Sequence, residues 1–163
     1  MKNYTKKPMN RFLITFFSIL GIYYFLVMFS FFTTLLSDFA GIGAKIASTV
    51  INLFGGTANY FGNYIISNGS SMQVGIGCDG SEPIVLLIAA ISGINSKLSN
   101  KISGIVTGSI LLFILNQIRI LGLFYFNLSH PDLFDVMHND IFPLMTVAAS
   151  GIIFLVWLKR ISR

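Results

Sequence analysis

Charged residues are scarce in this chain. Only 10% of its 163 residues are Asp, Glu, Lys or Arg, whereas 54% are hydrophobic. Soluble domains carry about 25% charged residues, so this composition excludes an ordinary soluble protein. The scarcity of charge therefore predicts a chain that lies in lipid.

Cysteine is almost absent as well. The single cysteine, Cys78, cannot form an intramolecular disulfide, which excludes a disulfide framework. One Cys, two His and scattered carboxylates have no ligand spacing of the zinc kind, so neither a metal nor another cofactor is expected. The basic residues form no patch with interleaved aromatic residues, so the net charge of +5 does not indicate a nucleic-acid partner.

Long apolar runs take the place of the missing charge. Three runs, at 12–36, 102–126 and 141–158, meet or nearly meet the ~20 residues that cross a ~30 Å hydrocarbon core. A fourth run at 81–96 would give only about 24 Å of helix, which places it inside the bundle. The first run exceeds the ~7–15 apolar residues of a secretory signal, so we interpret it as a retained anchor. We expect an all-α membrane protein, one integral membrane domain over 1–163 with about four transmembrane helices.

The basic residues predict the orientation of these helices. Lys and Arg in short loops favour the cytoplasmic side. Nine of the eleven lie before the run 12–36, between the runs 81–96 and 102–126, or after the run 141–158. They are Lys2, Lys6, Lys7, Arg11, Lys97, Lys101, Lys159, Arg160 and Arg163. Both termini are therefore expected in the cytoplasm, on the inner face of the cytoplasmic (inner) membrane, with segments 37–80 and 127–140 outside.

The outer segment 37–80 has two recognisable parts. Residues 41–61 mix apolar residues at roughly helical spacing with Ser, Thr and Asn, as an amphipathic helix lying in the membrane interface would. Asn68-Gly69 then stands between two short β-forming segments, which is the pattern of a two-residue hairpin turn. The sequence thus predicts a small β-hairpin just before Cys78.

The cysteine is the first candidate for chemistry. It precedes a predicted helix that begins near Pro83, and a thiolate at a helix N-terminus is stabilised by unpaired N–H groups and the helix dipole. Asp79 and Glu82 oppose this, because negative charge raises a thiol pKa, so an activated Cys78 needs a cation nearby. The alternative is that Cys78 is only a small buried hydrophobic residue.

Arg119 is the candidate cation. It lies about 25 Å along the run 102–126, near its outer end. An arginine at this depth indicates function when it faces the bundle interior, whereas an interfacial arginine that snorkels outward is the alternative. Asn116 lies three residues earlier on the same helix face. It could hold the guanidinium or donate a hydrogen bond to a substrate carbonyl.

Two histidines lie in the second outer segment. His138 directly precedes the last apolar run, at the level expected for Cys78 and Arg119, whereas His130 lies further from it. A single histidine in an outer loop is usually a surface residue. A thiol, a base and a fixed cation together, however, indicate acyl transfer through a thioester.

These residues resemble a known family. Cys78-Asp79-Gly80 at the head of one span, Asn116-Gln-Ile-Arg119 near the outer end of the next and His138 at the head of the last are similar to the exosortase/archaeosortase family of membrane transpeptidases. The resemblance covers about residues 72–158. Asp79 stands where that family often has Ser, Thr or Ala, which leaves the subfamily and its sorting signal open.

The resemblance implies a cysteine peptidase or transpeptidase acting at the outer face of the membrane. Its partners would be secreted proteins with a C-terminal motif, a hydrophobic helix and a basic tail, transferred to a membrane lipid or another envelope acceptor. By the same resemblance, Cys78 would be the nucleophile, His138 the general base and then acid, and Arg119 the stabiliser of thiolate or oxyanion. Asn116, Asp79 and Gly80 would support the site or contact the substrate.

The residues leave two alternative functions open, neither of them that of a peptidase. In a non-catalytic membrane scaffold, Arg119 would pair with Asp140 or Glu82 to fix the helix register. Substitution of Cys78 would then have no effect on function. A small transporter with Arg119 in its pathway is less well supported, because transporters usually have internally repeated halves and this sequence has none.

Overall fold

The chain is mainly helical, with one small antiparallel sheet. A computed structural model describes residues 6–67 and 70–162, and its described side chains begin at residue 9. The helices are α1 (Lys6–Val27), α2 (Ser30–Leu53), α3 (Ser81–Gly93), α4 (Leu98–Ser129), α5 (Pro131–Val136) and α6 (Phe142–Ile161), with a π-helical turn at Met137–Ile141. The strands are β1 (Asn59–Phe61), β2 (Tyr64–Ser67) and β3 (Ser70–Gln73).

Four helical stretches are long and apolar enough to cross a membrane. They are Met9–Val27, Ser30–Leu53, Leu98–Ser129 and Pro131–Ile161. The predicted runs 102–126 and 141–158 correspond to α4 and α6. The predicted run 81–96 corresponds to α3, which has only 13 residues and lies inside the bundle, where Leu87 and Ile91 are fully buried.

Helix α1 packs antiparallel to α3. The Phe12 ring near the start of α1 lies against Gly93 at the end of α3, where an added Cβ would come within 2.6 Å of the ring. Near the end of α1, the Tyr23 hydroxyl lies 2.7 Å from Ser81 Oγ, at the start of α3. The missing side chain at Gly93 is therefore what allows the two helices to approach closely.

Helix α4 runs antiparallel to both α3 and α6, and two glycines one turn apart set its distance from them. A Cβ at Gly104 would lie 2.3 Å from Trp157 Nε1 of α6, and a Cβ at Gly108 would lie 2.3 Å from Leu87 Cδ2 of α3. The buried core between these helices consists of Leu87, Ile91, Leu112 and Trp157. Helix α1 packs on α3 from outside this core, and α1, α3, α4 and α6 alternate in direction along the chain.

The predicted single run 12–36 is wrong as one helix. Helix α1 ends at Val27, Phe29 is extended (φ −98°, ψ 131°), and α2 begins at Ser30. Met28 and Phe29 are as apolar as their neighbours, so hydropathy carries no signal for the break. Its physical cause is packing, because α1 contacts mainly α3 whereas α2 contacts α4 and the sheet.

The predicted helix 41–61 is helical over 41–53, as part of α2, and wrong over 54–61, which is a second correction. The helix ends at Leu53, and strand β1 follows at Asn59–Phe61. Its buried face is a row of small and aliphatic residues, namely Leu36, Ala40, Gly43, Ala44, Ala47, Ser48 and Ile51. The Phe39 ring lies 5.7 Å from the Phe113 ring, and Gly43 faces Ile120, so α2 runs in the same direction as α4. Small residues, which hydropathy weights little, thus make this seam.

The predicted hairpin is present, and it carries one strand more than expected. Strands β2 and β3 pair antiparallel with Ser67 opposite Ser70, and β1 adds to the free edge of β2. The predicted turn residues Asn68-Gly69 lie outside the described residues, as do Lys2 and Arg163 of the predicted cytoplasmic ends. The sheet packs on α2 and α4, and Ile65 is fully buried in a core that also contains Cys78.

Candidate active site

Cys78 lies in a short loop between β3 and α3. Its backbone N–H donates to Gly75 O at 2.9 Å, and the glycines on either side, Gly77 and Gly80, have φ of +89° and +85°. Glycine adopts these left-handed conformations without the strain that a Cβ brings. The loop therefore turns twice within a few residues and places the cysteine under the sheet, with only 4% of its surface exposed.

The three residues predicted to act together do meet. Cys78 Sγ lies 3.2 Å from His138 Nδ1 and 3.7 Å from His138 Nε2. Arg119 Nη2 donates to the same sulfur at 3.4 Å. Because the thiol comes from a loop, the guanidinium from α4 and the imidazole from the π-helical turn, the bundle itself creates the arrangement.

The Arg119 guanidinium donates hydrogen bonds to three groups of the site. It is 4% exposed, and it donates to Gly77 O at 2.9 Å and to His138 O at 3.4 Å besides the sulfur. Its Nε–H has no partner within the described part of the chain. The ion pair that a scaffold would need, with Asp140 or Glu82, is likewise not found among the described residues. Arg119 therefore holds the cysteine loop against the histidine backbone.

Asn116 holds the cysteine loop. It is fully buried, and its Nδ2 donates to the backbone oxygen of Cys78 at 2.9 Å, whereas no hydrogen bond joins it to the guanidinium among the described residues. A hydrogen bond to a substrate carbonyl stays a prediction. Gly80 packs directly on the Asn116 amide, where an added Cβ would lie 2.8 Å from Asn116 Cγ. Glycine is thus required at position 80 both for its φ and for its size.

Asp79 also shapes the loop from within. Its Oδ1 accepts a hydrogen bond from the Gly77 backbone N–H at 3.2 Å, and the residue is only 2% exposed. Its Oδ2 has no partner in the described part of the chain. Asp79 and Gly80 therefore shape the loop that carries Cys78, and a contact of either residue with substrate stays a prediction.

His138 is held by features that the sequence did not point out. It lies in the π-helical turn Met137–Ile141, and the Phe134 ring stacks on the imidazole with the centroids 5.5 Å apart and the planes 11° from parallel. Phe134 lies one helical turn earlier, a spacing that could have identified it. The π-helical turn has no comparable sequence signal. His130, by contrast, is exposed at the end of α4.

Burial of Cys78 favours the protonated thiol. Burial raises the pKa of Cys78, the Arg119 guanidinium lowers it, and the Asp79 and Glu82 carboxylates raise it again. The net direction is upward, so the cation and the helix start do not by themselves give a thiolate. A base within reach of the sulfur is therefore needed for nucleophilic chemistry, and His138 lies at that distance.

No three His, Cys, Asp or Glu side chains among residues 6–67 and 70–162 are grouped to hold a metal ion. No protein-family model, no curated protein and no solved structure matches the chain.

Proposed function

We propose that this chain is a multi-pass protein of the cytoplasmic membrane and an exosortase-like cysteine transpeptidase or protease. It would cleave C-terminal sorting signals of secreted proteins on the outer face and transfer them to an envelope acceptor. The observation that carries the proposal is the cysteine sulfur lying 3.2 Å from His138 Nδ1 and 3.4 Å from Arg119 Nη2. A nucleophile, a base and a charge-stabilising group within contact distance are the elements of acyl transfer through a thioester.

The helix directions support a membrane placement with the site outside. Helices α1, α3, α4 and α6 alternate in direction, so four crossings return both termini to the same side. Helix α2 is also long and apolar enough to cross a membrane. It packs beside α4 and runs in the same direction, from Phe39 next to Phe113 to Gly43 next to Ile120, so it adds no return crossing to these four. The ends of α1, α3, α4 and α6 opposite the cysteine carry Arg11, Lys97, Lys101, Lys159 and Arg160. Basic residues favour the cytoplasm, which puts Cys78 at the outer face.

The first half-reaction forms the thioester. His138 takes the thiol proton while the Cys78 sulfur attacks the scissile carbonyl carbon, and a tetrahedral oxyanion results. The oxyanion collapses when the C–N bond breaks, and the departing amine of the sorting tail receives the proton from His138. Arg119 stabilises the negative charge as it develops, for which its Nη2 is already at the sulfur and its Nε–H is free among the described contacts.

The second half-reaction frees the enzyme. An acceptor nucleophile gives a proton to His138 and attacks the thioester carbonyl, and the C–S bond breaks. The proton on His138 passes to the departing Cys78 sulfur, so the thiol and the neutral imidazole are both restored. The acceptor is an amine of a membrane lipid or another envelope component in transfer, and water in simple hydrolysis.

The bilayer supplies much of the substrate positioning. A substrate whose tail contains a hydrophobic helix shares the membrane with the enzyme, and its cleavage motif then lies at the outer surface beside the loop that carries Cys78. Confinement of this kind replaces a bimolecular encounter by a nearly intramolecular one. The cysteine is 4% exposed, so the substrate has to displace part of the cover over the sulfur when it binds.

The deciding experiment follows the thioester. The enzyme is expressed with a secreted protein from the same genome that carries a C-terminal motif, a hydrophobic segment and a basic tail. We expect the tail to be removed by the native enzyme and retained with Cys78→Ala or Cys78→Ser. A hydroxylamine-sensitive adduct of enzyme and substrate should be trapped only when Cys78 is present.

The matched control is His130→Ala, which removes an exposed histidine at the end of α4 and should process the substrate normally. Both cysteine variants should remain in the membrane fraction at native levels, since Ala and Ser fit the same space. Undiminished processing by Cys78→Ala would sink the proposal.

A further inference from the structure

A groove opens between α4 and α6 at the end of the bundle opposite Cys78. It has a volume of about 260 Å³. Its walls are mainly apolar and include Gly104, Thr107, Leu111, Ile152 and Val156. Gly104 and Gly108 form part of its floor, where Trp157 and Leu87 pack against them.

The mouth of this groove is polar and positively charged. A second cavity of about 210 Å³ adjoins it and shares Ser103, Trp157 and Arg160 with it, and Asn100 completes the mouth. In the part of the chain that the structure describes, no hydrogen bond or ion pair engages the Arg160 guanidinium. The Trp157 indole is already committed to Asn100 O at 2.9 Å. An unpaired cation with a hydroxyl and an amide beside it is suited to an anionic oxygen group.

We propose that this groove binds an anionic phospholipid. The phosphate would lie at the mouth with Arg160, Ser103 and Asn100, and one acyl chain would follow the groove toward Leu111. Basic pockets between transmembrane helices on the cytoplasmic side bind such headgroups. The inference depends on the membrane placement proposed above and not on the transpeptidase reaction.

The length of the groove favours an acyl chain over a protein helix. From Ser103 to Leu111 it follows eight residues of α4, or about 12 Å at ~1.5 Å per residue. One leaflet of a ~30 Å hydrocarbon core is about 15 Å deep, so an acyl chain from the inner leaflet fits this length. A spanning helix of a partner would need a groove about twice as long.

The test is lipid retention by the purified full-length protein, measured by native mass spectrometry from detergent. Phosphatidylglycerol and phosphatidylcholine with identical acyl chains are compared, and glycerol phosphate is added as the headgroup alone. We expect phosphatidylglycerol to be retained preferentially. Arg160→Gln should reduce that preference about fivefold, the effect of one basic side chain at an anionic headgroup. Lys159→Gln is the matched control, because Lys159 neighbours Arg160 and lines neither cavity.

A second variant tests the apolar part of the groove. Thr107→Phe fills it from an exposed position of α4, so it should lower retention of both lipids while helicity by circular dichroism stays native. Equal retention of the two lipids by the native protein would overturn the proposal. So would equal losses from Arg160→Gln and Lys159→Gln, or displacement of the lipid by glycerol phosphate alone at matched concentration. Cys78→Ala should retain lipid normally, which separates this result from any failure of the transpeptidase.

Discussion

His138 Nδ1 lies 3.2 Å from the Cys78 sulfur, although 60 residues separate the two in the sequence. His138 is positioned by contacts besides that with the cysteine, since its imidazole stacks on Phe134 and its backbone oxygen accepts a hydrogen bond from Arg119. A base that is fixed next to a protonated thiol can take its proton without first reorganising. The proposed mechanism therefore assigns the activation of the thiol to His138.

The base can be tested without a substrate. In the proposed mechanism His138 takes the thiol proton, so His138→Ala should slow alkylation of Cys78 by iodoacetamide at neutral pH and should lower processing by about 100-fold or more. His130→Ala should leave both rates at the native value. Alkylation is followed by mass spectrometry of the intact protein. Equal rates in the native protein and His138→Ala would remove His138 from the role of base.

Arg119→Lys should fail although it keeps the charge. The guanidinium donates to Gly77 O, His138 O and the Cys78 sulfur at once, whereas an ammonium is a compact point charge that cannot reproduce this planar set. We expect processing to fall about 100-fold, as on loss of one charge-stabilising donor. Arg160→Lys, at the far end of the bundle, is the control and should be fully active. If Arg119→Lys processed the substrate as well as this control, only the charge of Arg119 would matter.

Gly80→Ala should destabilise the protein. The residue has a φ of +85°, and a Cβ there would lie 2.8 Å from Asn116 Cγ, so strain and overpacking add. The expected loss is about 2 kcal/mol in the free energy of unfolding, visible as a lower thermal midpoint in detergent. Gly75→Ala is the matched control in the same loop, because a Cβ at Gly75 meets nothing within 4 Å. Equal midpoints for the two variants would contradict the packing described for Gly80.

The reactivity of Cys78 should depend on pH in a direction set by its neighbours. Burial raises the pKa of the thiol, so in His138→Ala, where no base assists, the alkylation rate should keep rising beyond the pH at which an ordinary thiol levels off. The Asp79 carboxylate also raises this pKa, so Asp79→Asn in the same background should move the inflection to lower pH. Asn keeps an oxygen for the Gly77 N–H, which preserves the loop. An inflection that moves upward, or stays in place, would contradict the assigned sign.

The parts of the fold that hydropathy encodes could be predicted from the sequence. The predicted runs at 81–96, 102–126 and 141–158 correspond to α3, α4 and α6. The length and the hydrophobicity of each run can be read directly from its residues. The meeting of Cys78, Arg119 and His138 could also be anticipated, since their levels along antiparallel spans follow from position in each run. Their chemical roles stay predictions.

The remaining features depend on contacts that a single sequence does not express. The break at Met28–Phe29 arises from the different partners of α1 and α2, and no helix-breaking residue marks it. The loop-holding role of Asn116 depends on how closely α3 approaches α4. Strand β1 is three residues long and has no alternating burial, so the periodicity of its residues does not distinguish it from a loop.

The π-helical turn at Met137–Ile141 has a consequence for how such a site can arise. A π-helical turn holds one residue more than an α-helical one between the same two flanking helices. Each residue of an α-helix turns the chain by about 100°, so removing one residue here would join α5 and α6 into a regular helix and rotate the α5 side of the turn, which carries Phe134, by about 100° relative to α6. One inserted codon is thus enough to change the relative orientation of the two helices that flank His138.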